Sequence, residues 1–145
     1  MMKEAAVMAI GLLISTAIGA EAYVCIAESA VGFALNKTTG TWHEANFKQR
    51  GKYVVSRSSR KEFAWEAKEV GMSVALIFCK NDFDAKGTLT CDVAMTKLRI
   101  NRITGRFLSS TPFGYWNDKL SAADDDPMRD GANSPYREIG KCSPL

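Results

Sequence analysis

VALIFC (residues 74–79) and TLTCDV (residues 88–93) are two strand-forming runs, and the polar stretch KNDFDAKG (residues 80–87) lies between them. β-Branched and aromatic residues on both sides of a segment rich in Asn, Asp and Gly predict two strands joined by a loop. Each run carries one cysteine, so such an arrangement brings Cys79 and Cys91 face to face. We therefore predict a disulfide between them.

The rest of the chain repeats this alternation of short apolar runs and turn residues, about every ten positions, which is typical of an all-β protein. The other predicted strands are 23–27, 31–35, 41–47, 52–57, 97–101, 106–110, 113–116 and 137–142, and the run at 74–79 extends back to 72. Two similar turns, LNKTTGTW (residues 35–42) and INRITGRF (residues 100–107), each place an Asn four residues before a Gly. An Asn that accepts backbone hydrogen bonds and a Gly in the left-handed conformation predict a hairpin at both places.

Segment 60–70 has two interpretations. Ser59 and Glu62 form a capping box, and the apolar residues at 63, 67 and 70 follow at helical spacing. The residues Phe63, Trp65 and Ala67 also alternate as a strand would. We favour a strand, because the surrounding elements are all predicted strands.

The four cysteines are Cys25, Cys79, Cys91 and Cys142. Three pairings are possible, and we favour Cys79–Cys91 with Cys25–Cys142, which ties the first strand of the mature chain to the last. A zinc site is the alternative, but the sequence has no CxxC spacing and only one histidine. Two disulfides indicate an oxidising compartment.

Residues 1–22 have the features of a cleaved signal peptide. Sixteen small or apolar residues, 5–20, follow Lys3 and precede the small-x-small sequence Ala20-Glu21-Ala22. The apolar run is short for a membrane span, which needs about 20 residues. We expect cleavage after Ala22 and an exported protein, periplasmic or secreted, with no membrane span left; an uncleaved anchor is the alternative.

Residues 23–145 then form one domain. The complete chain has 145 residues and a net charge of +3; removing the leader takes away one lysine and two glutamates, which leaves 123 residues at +4. All 14 aromatic residues remain, and they exclude a disordered chain. We predict a single antiparallel β-barrel or compact sandwich of about eight strands, in which pairing of the first and last strands removes exposed edges.

Few residues indicate catalysis, a metal or a cofactor. The chain has a single histidine, His43, and no GxSxG nucleophile motif for which it could act as the general base. The acidic run Asp124-Asp125-Asp126 with Asp130 does not have the spacing of a calcium-binding EF-hand loop and indicates a solvated turn. Carboxylates for a glycosidase-like reaction are present, but a sequence cannot pair them across a cleft.

The segment 47–61 is the clearest candidate binding site. It is basic, contains no acidic residue and includes two aromatic side chains, which predicts a hairpin for an anionic partner. Its candidate binding residues are Lys48, Arg50, Lys52, Tyr53, Arg57, Arg60 and Lys61.

The functional prediction is an exported, non-enzymatic binding module for a protein partner or a small ligand, without cofactor or metal. One alternative is binding of an anionic polymer through the 47–61 segment, with nucleic acid disfavoured by export. The other alternative is a small hydrolase that uses carboxylates.

Overall fold

The computed structural model describes residues 22–36, 38–93, 96–112, 115 and 134–145. The described residues form nine β-strands and no α-helix. They are β1 (Ala22–Asn36), β2 (Thr41–Phe47), β3 (Lys52–Arg57), β4 (Trp65–Glu69), β5 (Ile77–Cys79), β6 (Thr88–Val93), β7 (Thr96–Asn101), β8 (Arg106–Thr111) and β9 (Tyr136–Pro144).

The strands form one antiparallel sheet that curls into a nearly closed barrel of eight strands. The hydrogen-bonded order is β5-β4-β3-β1-β9-β8-β7-β6, and β2 pairs with β1 outside this ring. The predicted all-β barrel is therefore confirmed, and the first and last strands are neighbours as predicted. No ladder joins β5 to β6 in the described residues, so the seam of the barrel lies between these two strands.

Both predicted disulfides are present. Cys25 and Cys142 are direct partners in the β1–β9 ladder. Cys79 on β5 and Cys91 on β6 are bonded across the seam. The expected facing of these two cysteines is confirmed, although their strands are linked by the disulfide and not by a hairpin ladder. The two disulfides are consistent with an oxidising, exported environment.

β1 is longer than the sequence predicted. We expected separate strands at 23–27 and 31–35, whereas β1 runs without a break from Ala22 to Asn36. A bulge between Ala27 and Ser29 lets one strand bend and pair with two partners on the same edge. Its first half pairs with β3 and its second half with β2.

The two Asn–Gly turns form as predicted. The Asn36 Oδ1 accepts the N–H groups of Thr38 and Thr39 at 2.9 and 3.1 Å. The equivalent Asn101 Oδ1 accepts two N–H groups at 3.0 and 2.9 Å. The glycines that end the turns, Gly40 and Gly105, have φ angles of 67° and 62°, in the left-handed region.

Two other predicted strands are shorter in the structure, and a third lies almost entirely outside the described residues. Segment 60–70 is a strand only from Trp65, preceded by turns. The expected strand at 72–79 is limited to Ile77–Cys79, and it is preceded by a turn at Gly71, whose φ is 97°, and by bends at 73–74. The expected strand at 113–116 lies outside the described residues except for Tyr115, which is in a turn.

The barrel interior is filled by large side chains. Trp65 is 2% exposed and contacts the rings of Tyr23 and Phe83. The other buried members of this core are Cys25, Val55, Ala67, Ile77, Cys79, Leu89, Cys91, Leu98, Ile100, Phe107 and Cys142. Both disulfides are thus part of the core.

The predicted leader lies outside the described residues except for Ala22, which begins β1. Its cleavage stays a prediction. Within the described residues, no helix has the length and hydrophobicity required to cross a bilayer.

Candidate binding surface

The 47–61 segment does not form a hairpin. Phe47 ends β2, residues 48–51 connect it to β3, and residues 58–61 begin the turn toward β4. β3 pairs with β1 and β4 on its two edges, so this segment provides no second strand of its own. The seven predicted binding residues therefore do not share one surface.

Two of the predicted basic residues are engaged in local contacts. The Arg57 guanidinium donates to the Asp82 carboxylate at 2.7 Å and lies 4.5 Å from the centre of a Trp65 ring. The Arg60 guanidinium lies 4.4 Å from the centre of the Phe78 ring. Lys61 follows in the same exposed turn. These three residues lie at the end of β3 opposite to Lys52.

Tyr53 points into the barrel. Its ring packs edge-on against Phe107, and its hydroxyl is hydrogen-bonded to Ser109. Burial, together with the negative charge of Glu138, raises the pKa of the Tyr53 phenol, so the group stays neutral. The predicted role of Tyr53 as a surface contact is not supported by this position.

A polar cluster occupies the same end of the interior. Glu138 is 2% exposed, and its Oε1 accepts the N–H groups of Arg50 and Gly51, each at 3.2 Å. A Cβ at Gly51 would collide with the other carboxylate oxygen, so a larger residue at this position would require the Glu138 side chain to move. Burial also raises the pKa of Tyr136, which is hydrogen-bonded to Thr111. These contacts give the buried carboxylate a structural role. They also hold the 48–51 connection, through the backbone of Arg50 and Gly51, over the polar cluster.

The remaining candidates stand apart from one another. His43 is exposed on β2, opposite Ala34. Lys48 is exposed in the 48–51 connection. The acidic residues Asp124, Asp125, Asp126 and Asp130 lie outside the described residues. In the described part of the chain, no three His, Cys, Asp or Glu side chains are grouped as metal ligands.

Lys52 belongs to a larger surface that the sequence did not reveal. Residues facing outward on adjacent strands form rows across the sheet, and one row runs Arg106, Lys141, Ile26 and Lys52. A second row places Leu108 and Ile139 beside Arg99, and a third places Val31 beside Arg137, which is followed by Ser110 and Lys97. We call this surface the cationic face; it consists of Ile26, Val31, Lys52, Lys97, Arg99, Arg106, Leu108, Arg137, Ile139 and Lys141.

The cationic face carries an excess of positive charge. Its six basic residues come from β3, β7, β8 and β9. Arg106 and Lys141 are direct partners about 5 Å apart, whereas one residue separates Lys141 from Lys52 and Arg137 from Lys97, which places each of these pairs about 10 Å apart. Two acidic side chains lie at its border: Glu28 is 3.4 Å from the Lys141 Nζ, and Asp92 is 3.6 Å from the Lys97 Nζ. Both pairs are solvent-exposed and hence weak, so the positive field of the face persists.

The centre of the cationic face is apolar. Ile26, Val31 and Ile139 are 48, 51 and 52% exposed, and Leu108, which pairs with Ile139 on β8, is half-buried. Scattered exposed aliphatic residues are ordinary, but a contiguous group within a charged surround is typical of a binding surface.

Sequence reasoning missed this face because its charges are far apart along the chain. Lys52, Arg99 and Lys141 come to lie on one face only through the ladder order β3-β1-β9-β8-β7. A weak signal was present in β9, where Arg137, Ile139 and Lys141 alternate with the buried Glu138 and Gly140. That pattern marks an outward strand face with both charge and apolar area.

Comparison with known proteins adds no functional information: the chain matches no protein-family model, no curated protein and no solved structure.

Proposed function

We propose that this protein is an exported, non-enzymatic binding module that holds an anionic polymer on the outside of its barrel. The observation that carries the proposal is the cationic face, on which six basic residues from four strands surround exposed Ile26, Val31 and Ile139. The proposal takes the anionic polymer, which the sequence offered as an alternative to a protein partner or small ligand, and moves its site from the 47–61 segment to the sheet.

The interior supports an external site. Trp65, Phe107 and the other core side chains pack together inside the barrel, and the polar end of the interior is covered by the 48–51 connection. The buried Glu138 has main-chain donors that account for its position without a catalytic role. These contacts favour an external partner over an enclosed ligand or a carboxylate-dependent reaction.

Charge reversal tests the proposal directly. The variant R99E/R106E changes two neighbouring members of the cationic face, and the matched control K80E/K86E makes the same change in net charge within the 80–87 loop. The probes are polyphosphate and polygalacturonate, and binding is measured by calorimetry at 25 and 300 mM NaCl. Circular dichroism spectra of both variants establish that they are folded.

We expect the natural protein to bind both probes and to lose affinity steeply with salt, because binding a polyanion releases condensed counterions. The R99E/R106E variant should lose about tenfold or more in affinity at low salt, whereas K80E/K86E should lose about twofold from net charge alone. Binding that is insensitive to salt, equal losses in the two variants or no binding at low salt would each overturn the proposal.

A further inference from the structure

The cationic face continues beyond the barrel along the β1–β2 arm. β1 extends past its ladder with β9, which ends at Gly32; the Phe33 N–H still donates to the Pro135 carbonyl at 3.0 Å, and residues 34–36 pair only with β2 within the described chain. On the outward side of this arm, Phe33 follows Val31 along β1, and Trp42 lies opposite Leu35. We call Phe33 and Trp42 the aromatic extension.

Both aromatic side chains are presented at the surface. Phe33 is 48% exposed. Trp42 is half-buried, and its ring centre lies 5.5 Å from that of Tyr115, which holds the indole against the arm while Tyr115 itself is 62% exposed. Neither Phe33 nor Trp42 belongs to the buried core, so their exposed area is not explained by packing of the barrel.

The aromatic extension and the cationic face form one continuous strip. From Ile26 to Phe33, β1 covers about 20 Å at the rise of an extended strand, and basic side chains of β3 and β9 lie beside its first part. This strip has basic residues along its first part and aromatic residues at its end. It therefore suits a long flexible chain that carries both negative charges and rings with apolar faces.

We infer that the anionic polymer is an acidic polysaccharide, whose carboxylate or sulfate groups contact the cationic face and whose sugar rings stack on Phe33 and Trp42. The inference rests on the proposed function. Sugar rings have C–H faces that pack against aromatic rings and against aliphatic side chains such as Ile26 and Ile139, while their acidic substituents project sideways. Polyphosphate has the charge but no rings, so it would use the cationic face alone.

One acidic residue lies beside the aromatic extension. Glu44 pairs with Phe33 across the arm, and both are exposed. Its negative charge disfavours an acidic polymer at that position, so the neutral variant E44Q should bind polygalacturonate more tightly, by about twofold, with the largest gain at low salt.

The test separates rings from charge by comparing two polyanions. The variant F33A is titrated with polygalacturonate and with polyphosphate at 25 mM NaCl, and I103A is the matched control because Ile103 is a 73% exposed apolar residue in the 102–105 turn. A second readout is tryptophan fluorescence: polygalacturonate should change the emission of the natural protein, and the W42F variant should lose most of that change.

We expect F33A to weaken polygalacturonate binding about fivefold and polyphosphate binding less than twofold, with I103A unchanged for both. Equal losses for the two probes, or none, would overturn the inference. Tighter, Phe33-dependent binding of single-stranded oligothymidylate would overturn it in favour of a nucleic acid. Binding of polyphosphate without polygalacturonate would overturn the inference alone, whereas binding of neither would overturn the proposed function as well.

Discussion

At the scale of single residues, Asp82 connects the core to the end of the barrel. Its carboxylate accepts hydrogen bonds from the Trp65 Nε1 at 2.8 Å, the Arg57 guanidinium at 2.7 Å and the Phe83 N–H at 2.7 Å. The Trp65 bond, followed by the Arg57 bond, lowers the pKa of Asp82 from 3.8 to about 2. One side chain therefore orients a core indole, a surface guanidinium and the start of the 80–87 loop.

We predict that D82N lowers stability at neutral pH and removes one part of the acid sensitivity. Because the pKa of Asp82 is lower in the folded protein, its contribution is complete above the unfolded-state pKa of about 4 and is lost as the pH falls to about 2. Half of the carboxyl side chain is exposed, so solvent screening limits the loss at pH 7 to about 1 kcal/mol.

Urea unfolding at intervals from pH 7 to pH 2 checks this prediction. The difference in unfolding free energy between the natural protein and D82N should shrink between pH 4 and pH 2. A difference that stays constant over this range would contradict the role assigned to the Asp82 charge.

The two Asn–Gly turns offer a matched pair of substitutions. Gly40 and Gly105 have similar positive φ angles, but a Cβ at Gly105 would lie 3.0 Å from the carbonyl oxygen of Cys142, while a Cβ at Gly40 would contact nothing within 4 Å. We expect G40A to cost about 1 kcal/mol from backbone strain and G105A to cost more. Thermal unfolding of both variants measures the difference, and equal losses would contradict the contact-based part of the argument.

At the scale of elements, the β1–β9 ladder depends on a close approach at Gly140. A Cβ there would collide with the Ile26 carbonyl oxygen, with the Ala27 backbone and with the Phe107 ring. This contact lies beside the β1 bulge, where the strand bends. β9 can therefore follow β1 around the bend only with a glycine at this position.

We predict that G140A destabilises the protein by about 3 kcal/mol or more, because backbone atoms cannot move aside as a flexible side chain can. The exposed neighbour Lys141 supplies the control, and K141A should change stability by less than about 1 kcal/mol. Denaturant midpoints measure both effects; a G140A protein as stable as K141A would show that β1 and β9 can separate at little cost.

Element boundaries were predictable where local chemistry determines them. The Asn36 and Asn101 turns and the strand at Trp65–Glu69 follow from turn residues and alternation within a few positions. The continuity of β1 across its bulge was not predictable, because it depends on Gly140 and on pairing with β9, more than 100 residues away. The shortened β5 was likewise not predictable, because only Ile77–Cys79 of the apolar run pair with β4.

At the scale of the whole molecule, the two disulfides close the barrel in different ways. Cys25–Cys142 reinforces a ladder that is already hydrogen-bonded, whereas Cys79–Cys91 joins β5 and β6, between which the described chain has no ladder. Their sequence separations are 117 and 12. The chain-entropy model assigns contributions of about 5 and about 3 kcal/mol to them.

We predict that the variants C79S/C91S and C25S/C142S lose stability in different ways. C25S/C142S should lower the unfolding temperature more, because it releases the longer loop. C79S/C91S should open the seam, so amide hydrogen exchange in β5 should accelerate while β8 and β9 stay protected. Hydrogen exchange followed by mass spectrometry distinguishes the two outcomes. Uniform acceleration of exchange across all strands in both variants would contradict the location of the seam between β5 and β6.

The order of the strands in the whole sheet also explains why the fold could be predicted from the sequence and the candidate site could not. Four cysteines in strand-forming runs restrict which strands can be neighbours, and the observed disulfides match the predicted cysteine pairing. The cationic face, in contrast, joins Lys52 to Arg99, Arg106 and Lys141 through the lateral order of five strands. A local count of basic residues selected 47–61, where Arg57 and Arg60 have local partners and Tyr53 is inside the barrel.

The most direct test of the central claim is a two-dimensional NMR titration of the isotope-labelled protein with polygalacturonate oligomers. The cationic face predicts that resonances of its residues on β1, β3, β7, β8 and β9 shift together, with one dissociation constant that increases with salt. Resonances of Arg57, Arg60 and Lys61 should stay in place. Shifts centred on those three residues, or confined to the core around Trp65, would contradict an external site on the sheet.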